Sequence, residues 1–149
     1  MQFKGTKNFK ISELEYSATA TKYKIDNSIP DKFESHVKRL LLFLQDLRNK
    51  WGSGIRINSG YRCEILNKLL KGSKTSAHKT CNAVDIYPVN GKFDEFKKFI
   101  VSYLQDKNFD QCILEQDVDK NGKVISQWIH LGLYNNSEKQ RRQIFKLEV

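Results

Sequence analysis

Two of the three histidines in this chain, His78 and His130, lie in short segments that carry other reactive side chains or lie close to such segments. In chain order the segments are Ser59-Gly60-Tyr61-Arg62, Ser76-Ala77-His78, Ala83-Val84-Asp85-Ile86, Ile113-Leu114-Glu115 and Trp128-Ile129-His130-Leu131. Two imidazoles and one carboxylate can hold a zinc ion and leave a coordination position open, as a hydrolytic metal centre requires. Asp85 and Glu115 offer two carboxylates, so one can serve a metal and the other can move a proton.

Such a constellation must be positioned by regular elements. Between about Pro30 and Asn49, Phe33, Val37, Leu40, Leu41, Leu44 and Leu47 recur at helical spacing, which predicts a core-facing helix with Pro30 near its first turn. Trp51-Gly52-Ser53-Gly54 ends it, and Ile55-Arg56-Ile57-Asn58 alternates as a short strand, so Arg62 emerges just past a strand end. A short helix over Cys63–Leu70 and a polar loop, Lys71 to Ser76, then deliver His78. Ala83–Tyr87 reads as a strand, Phe93–Lys107 as an amphipathic helix, and Cys112–Gln116 and Val124–Leu133 as two further strands. Ser12 is expected to cap a turn through Tyr16, and Ser137 to cap a final basic helix through Arg142 and Phe145. The fold class expected is α+β, a small antiparallel sheet with helices packed on it.

The last two strands permit a finer inference. A two-residue turn at Asn121-Gly122 pairs Lys120 with Lys123, and the same register pairs Glu115 with Trp128 and Ile113 with His130. Glu115 and His130 then become diagonal neighbours on one face, roughly 7–8 Å apart at the backbone. That spacing suits a metal ligand beside a general base. A loop longer by an odd number of residues would turn Glu115 to the other face.

Composition narrows the classes. With 149 residues, of which 39% are hydrophobic, the chain can bury one core, and residues 1–149 are expected to form a single domain. A net charge of +9 predicts attraction to polyanions. A nucleic-acid module would interleave aromatics with Lys and Arg on an exposed element, whereas the aromatics here fall at core periodicity, so no nucleic-acid partner is expected. No stretch approaches the roughly 18 apolar residues of a membrane span, and the N-terminus lacks the apolar run of a secretory signal. The chain is therefore expected to be made in the cytosol, without membrane insertion, and as a monomer. Cys63, Cys81 and Cys112 have no paired spacing and read as free thiols.

Ser59-Gly60-Tyr61-Arg62, Ser76-Ala77-His78, the spacing from His78 to Asp85 and Trp128-Ile129-His130 together resemble the zinc D-Ala-D-Ala carboxypeptidase family. The likeness is to its short members of phages and bacteria, which share a fold with L-alanyl-D-glutamate endolysins, D-Ala-D-Ala dipeptidases and the Hedgehog signalling domain. The resemblance implies one zinc ion held by His78, Asp85 and His130, with Arg62 engaging the substrate carbonyl and Ser76 lining the site. Glu115 is the best match to the catalytic acid/base. Two positions depart from the pattern: Cys81 stands where a glycine is usual, and Gln127 where some relatives carry the base. The activity implied is hydrolysis of peptidoglycan stem peptides, at D-Ala-D-Ala or at L-Ala-D-Glu, by an enzyme that reaches the cell wall after release, as a phage endolysin does.

Each residue also has a plainer reading. Asp85 could cap a turn, Arg62 could be a surface salt-bridge partner, Glu115 an exposed strand carboxylate and Ser76 a turn former. Tyr61 and Trp128 are candidates for substrate contact or for the core and the pocket wall. His36, between core positions of the first helix, reads as a boundary residue, and Cys81 as a packing residue before a fourth ligand. A catalytically inactive zinc-binding interaction domain of the same fold is the alternative to an enzyme.

Overall fold

The apolar stripe of the first long helix sets the position of the core. In a computed structural model, which describes residues 1–135 and 139–146, a 3₁₀ turn over Asp31–Phe33 leads from Pro30 into helix α3 (Glu34–Trp51). Two one-turn helices precede it, α1 (Ile11–Glu15) and α2 (Ala18–Lys22). Val37, Leu40, Leu41, Leu44 and Leu47 of α3 are all buried. The helix stops at Gly52, whose φ of 82° lies in the left-handed region that glycine enters without steric cost.

Ser12 does not cap α1, as its sequence position suggested. Lys10 holds the cap position, and its backbone N–H donates to the Glu13 carboxylate at 2.6 Å. One step along the chain, the Ser17 hydroxyl accepts from the Ala20 N–H and starts α2.

Five strands form one sheet in the order β1-β2-β4-β3-β5, namely β1 (Ile55–Ser59), β2 (Ala83–Pro88), β3 (Gln111–Val118), β4 (Val124–Gly132) and β5 (Gln143–Phe145). Helix α4 (Glu64–Leu69) lies between β1 and β2 in the chain, and α5 (Phe93–Tyr103) between β2 and β3, with a 3₁₀ turn over Leu104–Asp106 finishing what the periodicity reads as one longer helix. Strands β1 to β4 are antiparallel, as expected, but β5 joins β3 in parallel. The sheet is therefore mixed at one edge, within an α+β fold.

Strand β5 occupies residues expected to be helical, and Ser137, the expected cap, lies outside the described residues. Long-range bonds override the local preference. Arg141 makes paired bonds to the Asp110 carboxylate, at 2.9 and 2.6 Å, and the Gln143 N–H donates to the Asp110 carbonyl. Arg142 donates to the carbonyls of Lys107 and Gln105. The basic residues thus tie the segment to the sheet edge instead of lining a helix face.

Period-two alternation divides the sheet into two faces. Val84, Ile86, Cys112, Leu114, Ile129 and Leu131 are buried in one core with the apolar residues of α3 and α5. Asp85, Ile113, Glu115, Trp128 and His130 alternate with them and occupy the opposite face.

The hairpin between β3 and β4 reaches the expected register by another route. The connection is not a two-residue turn: it spans Asp119–Lys123, where the Asp119 carboxylate accepts the N–H groups of Asn121 and Lys123 at 2.8 and 2.9 Å. Val118 pairs with Val124, and Asp117 with Ser126, so Ile125 is an extra, bulged residue. The bulge cancels the odd offset of the longer loop. Below it, Glu115 pairs with Trp128 and Ile113 with His130, as the sequence predicts.

Candidate metal centre

Asp85 and His130 are directly opposed residues of β2 and β4, so the ladder itself places a carboxylate against an imidazole. His130 Nδ1 lies 3.0 Å from Asp85 Oδ1. His78 arrives from the loop before β2, on a 3₁₀ turn over Ala77–Thr80 that the Ser76 hydroxyl caps by accepting the His78 N–H at 3.3 Å. Its Nε2 lies 3.4 Å from the same Asp85 Oδ1. The two rings stand 5.2 Å apart, and one ligand atom from each of the three residues falls within 4.8 Å of the others.

The tautomer of His78 follows from its other nitrogen. Nδ1 is 2.7 Å from the Gly60 carbonyl oxygen, which can only accept, so Nδ1 carries a proton and Nε2 is the nitrogen turned to the centre. Gly60 is required for this contact. A Cβ there would lie 2.6 Å from the Leu14 carbonyl oxygen and 2.7 Å from the Leu14 Cα. The Tyr61 N–H completes the joint by donating to that same carbonyl at 2.7 Å.

Asp85 and His78 are buried, with 5% and 3% of their surfaces exposed. Burial pushes the Asp85 carboxyl up, but hydrogen bonds from His130 and His78 outweigh it and hold the group well below the usual carboxylate range. An anion therefore stands between two imidazoles. Two nitrogens and one carboxylate oxygen, with the orientation of His78 fixed by a backbone carbonyl, form a donor set that fits a zinc ion.

Arg62 reaches the centre from the other side of Asp85. Its Nη2 donates to Asp85 Oδ2 at 3.4 Å and its Nε to the Ser59 hydroxyl at 3.2 Å, while its backbone N–H donates to the His78 carbonyl. A cleft of about 800 Å³ is lined by Arg62, Ser76, His78, Asp85, Glu115 and His130. Glu115 thus shares the cleft with all three candidate ligands. The Trp128 indole N–H donates to Glu115 Oε2 at 3.0 Å, and Trp128 itself lines a second cleft that also touches Arg62 and Asp85. Gln127 pairs with Gln116, one step out of phase with the Glu115–Trp128 pair.

Of its two readings, substrate contact or core, Tyr61 takes the core. As a candidate for substrate contact it would have to face a cleft, but it is 7% exposed, tilts against Phe33 and lines neither. Arg62 points outward after β1, and its neighbour turns inward to the core. Cys81 packs in the core with 1% exposure, and burial pushes its thiol up to about 12. Its φ of 58° is left-handed, which explains why glycine suits this position and how cysteine occupies it at some strain. It does not belong to the ligand cluster.

His36 is not a ligand, yet it has a role that its spacing did not reveal. Its Nδ1 lies 2.8 Å from the Thr80 carbonyl, and its ring stacks on Phe33, so α3 braces the turn that carries His78. The Gly60 carbonyl is not legible as the partner of His78 in the sequence, because a contact to backbone across 18 residues leaves no mark in composition.

A family model described as Peptidase M15 matches residues 7–131, a span that includes Arg62, His78, Asp85, Glu115 and His130. No curated protein matches the chain.

Proposed function

The chain belongs to the peptidase M15 family, and from that premise we propose that it is a zinc-dependent peptidase acting on peptidoglycan stem peptides, of the D-Ala-D-Ala carboxypeptidase or L-Ala-D-Glu endopeptidase type. The observation that carries the reading is the convergence of His78, Asp85 and His130 in one cleft with Arg62 and Glu115. His78, Asp85 and His130 would hold the ion. When bound, zinc supplies Lewis acidity, polarising a carbonyl and making water a better nucleophile near neutral pH.

The chain's own residues perform the rest. Glu115 takes the proton of the attacking water and returns it to the leaving amine, and the Trp128 indole bond to Oε2 fixes the carboxylate while it does so. Arg62, a permanent cation braced by Ser59, faces the oxygen of the scissile carbonyl and stabilises the charge that develops there. It also holds Asp85 from behind, so the ligand and the oxyanion partner are mutually oriented. Ser76 shapes the turn under His78 and the adjoining wall of the cleft.

A net charge of +9 supports action on an acidic polymer, to which a cationic enzyme is drawn. Among the described residues no helix is long and apolar enough to cross a membrane. A phage-type endolysin, carried to the wall by another protein, accords with both. A zinc-binding domain without activity is the rival reading, and the joint presence of Arg62 and Glu115 in the cleft speaks against it. Peptidoglycan incubated with the zinc-loaded protein, with and without a chelator, should release peptide fragments identifiable by mass only without the chelator. Failure to see such release would remove the peptidase reading.

A further inference from the structure

Arg62 and Asp85 belong to two clefts at once, and the linings of the two differ in kind. The first, described above, is lined by charged groups of both signs, Lys74, Lys79 and Arg141 joining Arg62, and Asp110 and Glu115 joining Asp85, among serines and threonines. The second, of about 900 Å³, runs between Tyr16, the β1–β2 surface and the tip of the β3–β4 hairpin. It contains three aromatic rings, Tyr16, Tyr87 and Trp128, with Leu70, Val124 and Ile125 beside them.

Several of these apolar groups stand in water: Tyr16 is 67% and Ile125 68% exposed, and Leu70 and Val124 are each 41% exposed. Large apolar side chains gathered in one concavity, beside a candidate reaction centre, mark a surface that a ligand covers. Asn58, Ser17 and Ser126 interrupt them with polar groups. The Arg56 guanidinium lies 5.3 Å from the Tyr87 ring centre and donates to Asn58 at 2.9 Å, so it extends the aromatic shelf. Rings flanked by hydroxyl and amide groups suit a saccharide, which presents C–H bonds on its faces and hydroxyls at its edge.

Resting on the stem-peptide reading above, we propose that the second cleft binds the uncharged amino end of the stem peptide together with the sugar attached to it. The first cleft, whose wall carries Lys74 and Lys79, receives the remainder, which bears the carboxylates. A chain that crosses Arg62 and Asp85 extends into both clefts, and the bond cut between them is internal.

The test uses the zinc-loaded full chain and two probes that contain both candidate bonds, a stem pentapeptide ending in D-Ala-D-Ala joined to N-acetylmuramic acid and the same pentapeptide N-acetylated in place of the sugar. The expected result is a kcat/KM about tenfold higher for the sugar-bearing probe, the scale of one well-stacked ring. Replacing both Tyr16→Ala and Ile125→Ser, two exposed side chains, should shrink that preference to within about twofold. Equal kcat/KM for the two probes, or a preference untouched by the double variant, overturns the proposal. If neither probe is hydrolysed, the peptidase reading fails while the cleft is still testable. Amide shifts on adding the sugar-bearing peptide, confined to Tyr16, Tyr87 and Ile125, then support the sugar site, and their absence rejects it.

Discussion

Asp85 and His130 oppose each other across two antiparallel strands, with Nδ1 and Oδ1 3.0 Å apart, and the same carboxylate oxygen lies 3.4 Å from His78 Nε2. One buried oxygen therefore joins a ladder residue to a loop residue, so the centre is assembled by the sheet and completed by the turn.

Asp85→Asn preserves shape and removes the charge between the imidazoles. Zinc affinity should fall by at least about 100-fold, beyond what partners outside the ligand set usually contribute. Competition with a chromophoric chelator measures it, and an unchanged dissociation constant would exclude Asp85 as a ligand.

Glu115→Gln should leave zinc bound at one ion per chain and lower turnover by about 10²–10⁴. Metal analysis and peptide release on the same sample separate the two effects. Loss of metal together with activity would instead make Glu115 a structural neighbour of the centre.

Gly60→Ala forces a methyl group against the Leu14 backbone, 2.6 Å from its carbonyl oxygen. Backbone cannot yield as a flexible side chain can, so stability should drop by about 1–3 kcal/mol. Because the Gly60 carbonyl orients His78, zinc affinity should weaken as well. Thermal unfolding and zinc titration report the two losses, and a stable variant with intact zinc binding would refute the contact.

Asp110 links the sheet to the C-terminal segment, and its bonds from Arg141 hold its carboxyl below the ordinary range although the residue is buried. A depressed folded-state pKa contributes stability above the unfolded value, near 4, and that stability is lost as pH falls through the folded value. Acid unfolding should therefore steepen below about pH 4. Asp110→Asn should be less stable near neutrality and lose less of its stability on acidification. Denaturant midpoints taken from pH 6 down to 2 give the comparison, and parallel curves for the two proteins would contradict it.

Residue types and periods were sufficient for much of the site. The recurrence of Val37, Leu40, Leu44 and Leu47 places a helix, and alternation along the hairpin places Glu115 and His130 on one face, because burial of apolar groups enforces both periods locally; that Asp85 shares the face follows from the β2–β4 pairing, which no local period gives. The family's motif residues add the order of the donors. Glu115 was legible only through the hairpin, and there the prediction succeeded by compensation: the loop is longer than Asn121-Gly122 requires, and the bulge at Ile125 returns the register.

What tertiary structure alone decided depends on partners far away in the chain. Asp110, 31 residues from Arg141, turns an expected helix into an edge strand. Leu14 presses on Gly60, whose carbonyl selects the proton position on His78, and Phe33 takes Tyr61 into the core. The sequence determined which groups could meet a metal and at what period they recur. Their meeting at one carboxylate oxygen, with Arg62 behind it and a cleft on either side, required the close packing of segments whose contacts no local pattern encodes.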